Sequence, residues 1–293
     1  MTEAASDGAS AALPNGVESN RAARRRESAI LIMLALAGAV LEYPLALAIK
    51  SIELPELVHA MPFLVITAVL ASMVPFALRV NPRFGLPGAP LIAAKIAGEK
   101  MPISMRSLLK ISVRYAILAA SAGAAVLAVV IVPMLFIAHP HGGGSLNLPI
   151  PPMLTLAPGR IATVGALVAI AAAVSEEIQF RLVLFAVFTW IARLITRGSS
   201  GESSRGALWF ATFLQAYAFG LVHLLPLAGS TFHSTPLLLV GGLLMPQTWE
   251  GLVFGRLYLK RGLEAAMLAH ATMDVAMFVL AALGVLGSHL GAK

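Results

Sequence analysis

The chain has 293 residues, of which 58% are hydrophobic and 12% charged, and its formal net charge is +7. A soluble domain has about 45–50% apolar and about 25% charged residues, so this composition predicts an integral membrane protein. The chain has no cysteine, which excludes disulfides, thiolate metal sites and a cysteine nucleophile. Because Arg and Lys cluster beside apolar segments, we expect them to fix topology and contact anionic lipid rather than nucleic acid.

The first 28 residues are predicted to form a disordered cytoplasmic tail. Residues 1–20 are rich in Ala, Ser, Gly and Asn without periodicity. A basic cluster at 21–26 then precedes an apolar run over 29–49, which is long enough to span a bilayer and has no clean cleavage site after it. We therefore expect the first membrane helix here, with the N-terminus in the cytoplasm.

Residues 29–138 are predicted to hold three membrane helices. After the first, spans are expected at about 57–78, where two prolines introduce kinks, and at about 115–138. The stretch between them, 79–114, is rich in Arg, Lys and Pro, so the positive-inside rule predicts a cytoplasmic loop. Its composition also suits an amphipathic segment on the membrane surface.

Residues 160–286 are predicted to form the functional core. Its spans are expected at about 161–195, 207–225, 236–259 and 263–286. The first of these would make a helix of about 52 Å against about 30 Å of hydrocarbon, so it projects into the cytoplasm or breaks after Arg181. The predicted fold is an all-α polytopic bundle of seven membrane helices, or eight if the long segment divides.

Three charged residues, Glu176, Glu177 and Arg181, lie within one of the most apolar runs. A charge at the centre of a bilayer costs at least about 2.5–3.5 kcal/mol, so this cluster predicts a functional site. On a helix Glu177 and Arg181 share one face. Two carboxylates in a low-dielectric site do not both ionise at low cost, so we expect Arg181 to hold Glu177 as an anion. Glu176 is then available as a general base towards water.

Two later stretches also place polar groups in apolar surroundings with a spacing of four. Phe219 lies over His223, and His270 lies over Asp274, each pair on one helical face. Three helices can therefore direct these groups into one cavity. Counting along the spans, however, puts Glu176 and His270 nearer the cytoplasm and His223 nearer the outside, so the fourth or fifth span has to be broken, tilted or shifted.

The pattern Glu-Glu-x-x-x-Arg, Phe-x-x-x-His and His-x-x-x-Asn/Asp, in this order on successive apolar segments, resembles the CPBP family. That family includes CAAX-processing proteases of the Rce type, bacteriocin-processing enzymes and abortive-infection proteins. The resemblance covers about residues 160–280. It implies an intramembrane glutamic endopeptidase with a conical polar cavity and no metal, acting on a membrane-associated peptide or protein.

The resemblance also implies a role for each residue. Glu176 with His223 would activate water, and His270 with residue 274 would stabilise the oxyanion, while Phe219 would wall the substrate pocket. This chain has Asp274 where Rce-type enzymes have Asn. An ionised Asp274 would repel an oxyanion, so it has to be protonated or to orient His270.

Each assignment has an alternative from the residues themselves. The Glu177–Arg181 pair can be a structural ion pair, and His223 and Phe219 can be packing residues. A histidine oriented by a carboxylate suits metal binding as well as catalysis. A zinc site formed by Glu176, His223, His270 and Asp274 is therefore the second hypothesis, ranked below a site without a cofactor. For function, the alternatives are a non-proteolytic scaffold or immunity-type protein, and a proton-coupled transporter.

Other intramembrane protease mechanisms fit the sequence poorly. Gly198-Ser199-Ser200-Gly201 matches the rhomboid motif but lies in a polar stretch, so we interpret it as a linker. The sequence contains no Gly-x-Gly-Asp and no His-Glu-x-x-His, which excludes the usual aspartyl and zinc motifs. Short loops and Ala-rich spans favour a bacterial inner membrane.

Overall fold

The structure is a computed structural model that describes residues 15–50, 57–126, 128–129, 157–196, 205–224 and 237–291. Its α-helices are α1 (Asn15–Lys50), α2 (Leu57–Ser72), α3 (Val74–Val80), α4 (Pro90–Ala97), α5 (Met105–Val126), α6 (Pro158–Glu177), α7 (Phe185–Thr196), α8 (Arg205–Val222), α9 (Leu237–Arg261) and α10 (Leu263–Gly291). A 3-10 turn at Asn81–Phe84 follows α3, and a π-helical segment at Ile178–Leu184 joins α6 to α7. The described ranges contain no strand, which confirms the all-α prediction.

The described part of the chain contains four stretches long and apolar enough to cross a membrane. They are Leu64–Phe84, Met105–Val126, Pro158–Ile195 and Leu263–Gly284. The protein is therefore an integral membrane protein, as its composition predicts. The total of seven or eight membrane helices stays a prediction. The predicted linker at 198–201 and parts of the predicted spans, at 127, 130–138, 225 and 236, lie outside the described residues.

The N-terminal tail is the first expectation that the structure corrects. Helix α1 begins at Asn15, so residues 15–28 are helical and not disordered. This segment contains Ala, Arg and Glu, which are strong helix formers. Because the following apolar run already nucleates a helix, each further residue extends it at little cost. Residues 1–14 lie outside the described part.

The two prolines of the second span behave differently. Helix α2 is continuous through Pro62, but it ends at Ser72, and α3 begins at Val74 with Pro75 in its first turn. A proline lacks the N–H that an interior helical position needs, whereas the first turn leaves that group free. The predicted interruption of this span is therefore confirmed at Pro75.

The basic stretch 79–114 is more structured than the loop we expected. It contains the 3-10 turn, α4 and the beginning of α5, so the third span starts at Met105 instead of near residue 115. Helix α4 contacts α1 and α10 instead of lying apart from the bundle. The backbone N–H of Ile92 in its first turn donates to the Glu264 carboxylate of α10 over 2.8 Å. An anionic group at a helix N-terminus is stabilising, so this contact fixes α4 against α10.

Small residues allow the helices around the site to approach closely. Gly251 of α9 packs on Ala216 of α8, where an added Cβ would lie 2.7 Å from the Ala216 Cα. The Gln215 side chain of α8 donates to the Gly251 carbonyl over 2.9 Å. Membrane helices associate through such contacts because lipid gives no hydrophobic drive between them. Helices α8 and α9 are thus held side by side, with α8 against α7, α9 against α10, and both against the π-helical segment.

Candidate active site

The two glutamates end α6, and Arg181 lies in the π-helical segment that follows. The long fourth segment does not break after Arg181, since helical structure is continuous from 158 to 196. Because this helix is continuous, Glu176 and His223 can lie at a similar depth in the membrane. At about 1.5 Å per residue, Glu176 lies about 30 Å before the end of α7 and His223 about 27 Å after the start of α8. The neighbouring antiparallel helices therefore carry both residues at a similar level.

Glu177 is held between Arg181 and His270. One carboxylate oxygen lies 3.1 Å from Arg181 Nε, and both side chains are fully buried. The other oxygen lies 2.9 Å from His270 Nδ1. An Nδ1–H that donates to this carboxylate fixes both the ring orientation and the proton position of His270. The pair is therefore more than an isolated ion pair, because it connects α6 to the histidine on α10.

His270 is the centre of the cluster. With Nδ1 bonded to Glu177, its Nε2 faces two further carboxylates. Asp274 Oδ2 lies 3.3 Å from Nε2, and Glu176 Oε2 lies 3.9 Å from it. We expected Asp274 to orient His270, and it does lie against the ring, but the shorter contact comes from Glu177.

Glu176 has an oxygen without a protein partner. Its Oε2 is buried and accepts no hydrogen bond from any described residue. Burying a polar group without a hydrogen bond is costly, so such an atom favours a bound water or a substrate group. This is the environment that a water-activating carboxylate requires.

Aromatic rings enclose the guanidinium of Arg181. Its Cζ lies 4.4 Å from the centroid of Phe219 and 5.7 Å from that of Phe254. Within the described residues its two terminal nitrogens have no hydrogen-bond partner, so the ring faces are their main polar contact. Phe254 also stacks on His270, with ring centroids 5.0 Å apart. Phe219 is fully buried, so its observed role is to pack Arg181 and the two histidines.

His223 joins the cluster indirectly. Its Nδ1 lies 2.8 Å from the Phe219 carbonyl oxygen, one helical turn earlier, so Nδ1–H donates to its own helix. The Phe219 ring lies 4.6 Å from the His223 ring and 5.8 Å from the His270 ring. Between His223 and Glu176, both within the described part, the structure has no hydrogen bond.

Glu250 is a site neighbour that the sequence analysis left outside. It is 5% exposed and lies on α9 one turn before Phe254, whose ring stacks on His270. Its carboxylate interacts electrostatically with His270, Asp274, Glu176 and Arg181. The spacing of four between Glu250 and Phe254 was the available signal, since it repeats that of Phe219 and His223. The cluster thus contains four carboxylates against Arg181 and His270.

Among the described residues, no group of three or more His, Asp or Glu side chains is arranged to hold a metal ion. The two nitrogens of His270 have different surroundings, and only Nε2 points towards more than one carboxylate. A zinc ion bound here would need this nitrogen together with Glu176 and Asp274. The zinc hypothesis includes His223 as a fourth ligand and stays a prediction.

The fold and the cluster define an intramembrane helical protein with a buried carboxylate–imidazole site. Residues 158–276 match the family model described as Type II CAAX prenyl endopeptidase Rce1-like. This part of the chain is therefore an Rce1-like domain, which confirms the resemblance to the CPBP family. The matched range contains all the site residues above. No curated protein and no solved structure matches the chain.

Proposed function

We propose that this protein is a metal-independent intramembrane endopeptidase that hydrolyses a peptide bond in a membrane-associated peptide or protein. The observation that carries the proposal is the Glu176 oxygen, which is buried, has no hydrogen-bond partner among the described residues and lies 3.9 Å from His270 Nε2. The Rce1-like domain supports it, because that family implies a protease. A general base needs a site of this kind next to a hydrogen-bond donor.

In the proposed reaction Glu176 takes a proton from water while the water oxygen attacks the peptide carbonyl carbon. The carbonyl oxygen becomes an oxyanion and accepts a hydrogen bond from His270 Nε2–H. When the carbon–nitrogen bond breaks, Glu176 returns its proton to the leaving amine. His223, whose Nδ1–H donates to the Phe219 carbonyl, accepts a hydrogen bond from the water at Nε2.

His270 is a cation in this scheme, since both of its nitrogens then carry hydrogen. Glu177 stabilises that cation at Nδ1 and Asp274 stabilises it at Nε2. Glu177 and Arg181 act as positioning residues in this scheme, because Glu177 contacts His270 and Arg181 contacts Glu177. An ionised Asp274 is tolerated in this scheme, because the imidazolium beside it offsets the repulsion between its carboxylate and the oxyanion.

The proposed topology has seven or eight membrane helices with the N-terminus in the cytoplasm. Lys260 and Arg261 at the end of α9 and the basic stretch 79–114 mark the cytoplasmic side. Cleavage would then occur nearer that side, in a bacterial inner membrane.

The test is cleavage of a broad panel of peptides and membrane proteins by purified protein in lipid. Glu176→Gln is compared with wild type and with Glu99→Gln, the same substitution at an exposed residue. We expect Glu176→Gln to abolish cleavage, Glu99→Gln to retain it and a strong zinc chelator to have no effect.

Other outcomes select other hypotheses. If chelation abolishes cleavage and zinc restores it, the site is metal-dependent. If Glu176→Gln cleaves like wild type, the assigned base is wrong. If no variant cleaves any substrate while all fold and bind one partner equally, the buried Glu177–Arg181 pair holds together a scaffold protein.

A further inference from the structure

A groove lies on the outer surface of the bundle between α5, α8 and α9. Its volume is about 490 Å³, which is within the range of about 300–1,000 Å³ for ligand pockets. None of the candidate site residues lines it. Its wall includes the exposed rings of Trp209, Phe213 and Trp249. On a membrane-spanning bundle such a surface faces acyl chains, which are as apolar as leucine.

Two arginines lie at one end of this groove. Arg205 is the first residue of α8, and Arg256 lies near the end of the antiparallel α9. The Arg256 guanidinium lies 5.9 Å from the centroid of the Trp209 ring. Both arginines are exposed, and neither forms an ion pair with a carboxylate in the described part of the chain. No Asp or Glu lines the groove.

We infer that this groove binds one anionic phospholipid, with its phosphate between Arg205 and Arg256 and an acyl chain along the aromatic wall. Arginine is suited to phosphate because its planar donors match the phosphate oxygens. Tryptophan is enriched at the level of lipid headgroups, where an apolar ring meets a polar layer. A zwitterionic lipid carries its own ammonium group, which reduces its attraction to two arginines.

The basic end of the bundle supports this choice of ligand. Arg205 and Arg256 lie at the same end as Lys260 and Arg261 at the end of α9. By the positive-inside rule such residues meet the leaflet that holds anionic lipid. Each basic residue near that surface strengthens binding of an anionic lipid by about fivefold.

The experiment uses the tryptophans of the groove as reporters. The chain has three tryptophans, so Trp190→Phe leaves Trp209 and Trp249 as the emitters. The full-length variant is reconstituted in vesicles of neutral phosphatidylcholine with increasing brominated phosphatidylglycerol, or with brominated phosphatidylcholine at the same fractions. Bromine quenches a tryptophan only at close approach, so quenching measures which lipid occupies the groove.

We expect brominated phosphatidylglycerol to quench at severalfold lower mole fraction than brominated phosphatidylcholine. Arg205→Gln and Arg256→Gln should each reduce this preference about fivefold. Arg160→Gln, an exposed arginine in the first turn of α6, is the matched control and should leave the preference unchanged. Thermal unfolding of each variant checks that it remains folded.

Two results would overturn the inference. The first is equal quenching by the two brominated lipids in the Trp190→Phe protein. The second is a phosphatidylglycerol preference that survives in the folded double variant Arg205→Gln/Arg256→Gln. Adding free inorganic phosphate should not reverse the preference, because a free phosphate lacks the acyl chain that occupies the apolar wall.

Discussion

Removing the charge of one partner of the Glu177–Arg181 pair should destabilise the protein more than removing the charges of both partners. The variant Glu177→Gln leaves Arg181 as an unpaired charge in a position where it is 0% exposed. The variant Arg181→Met leaves the Glu177 carboxylate with His270 as its one remaining cationic neighbour. The double variant removes both charges while keeping side chains of similar length.

The magnitude follows from the burial of the pair. Removing one partner of a buried ion pair costs about 3–5 kcal/mol, because the other charge stays uncompensated. Replacing both partners with well-packed neutral residues is often nearly neutral. We therefore expect each single variant to lose about 3–5 kcal/mol. The double variant should lose less than either single variant, which requires a coupling of at least about 3 kcal/mol.

The assay is the free energy of unfolding in mixed micelles, measured for wild type, both single variants and the double variant. Additive losses would refute the argument, because they would mean that Glu177 and Arg181 do not depend on each other. Peptide cleavage by the double variant gives a second readout. If Glu177 positions His270, the double variant should be stable yet lose activity by about 100-fold, as expected for a misplaced catalytic group. If the pair is purely structural, the double variant should recover both stability and peptide cleavage.

Three further variants test single features of the site and its packing. Asp274→Asn should keep kcat/KM within about tenfold, because the amide oxygen still accepts a hydrogen bond from His270. A loss of about 1,000-fold, of the size expected for a proton-transfer group, would show that its charge is required. Glu250→Gln should raise the midpoint of thermal unfolding, since the cost of burying this carboxylate exceeds its electrostatic attraction to His270 and Arg181. A lower midpoint would mean that the attraction exceeds the cost of burial. Gly251→Ala should cost about 1–3 kcal/mol in unfolding free energy, because its methyl group would meet Ala216, and an unchanged stability would show that α8 and α9 can separate.

The sequence carries enough information to predict the cluster but not its internal contacts. The spacing of four between Glu177 and Arg181, and between His270 and Asp274, is a property of one helix and is therefore readable along the chain. The contact between Glu177 and His270 joins residues 93 positions apart, so it depends on how α6 and α10 pack. Local periodicity contains no information on that packing.

Two other differences have physical causes. The sequence placed Glu176 and His223 at different depths because every predicted span was given the same length across the membrane. The continuous helix from α6 to α7 is longer than that length. Glu250 was missed because a single carboxylate in an apolar segment looks the same whether it faces lipid or a cavity. The packing of Phe254 on His270 shows that the face of α9 that carries Glu250 lies towards the site.

The contact between α4 and α10 connects the N-terminal half of the chain, which lies outside the Rce1-like domain, to the helix that carries His270. Glu264 is bonded to α4 and lies less than two turns before His270 on the same helix. Gly88, before α4, accepts a hydrogen bond from the Leu263 backbone over 2.9 Å, so the start of α10 is anchored twice. A chimera that grafts the Rce1-like domain onto foreign N-terminal helices would carry every motif and still lack the anchor that sets the position of its histidine.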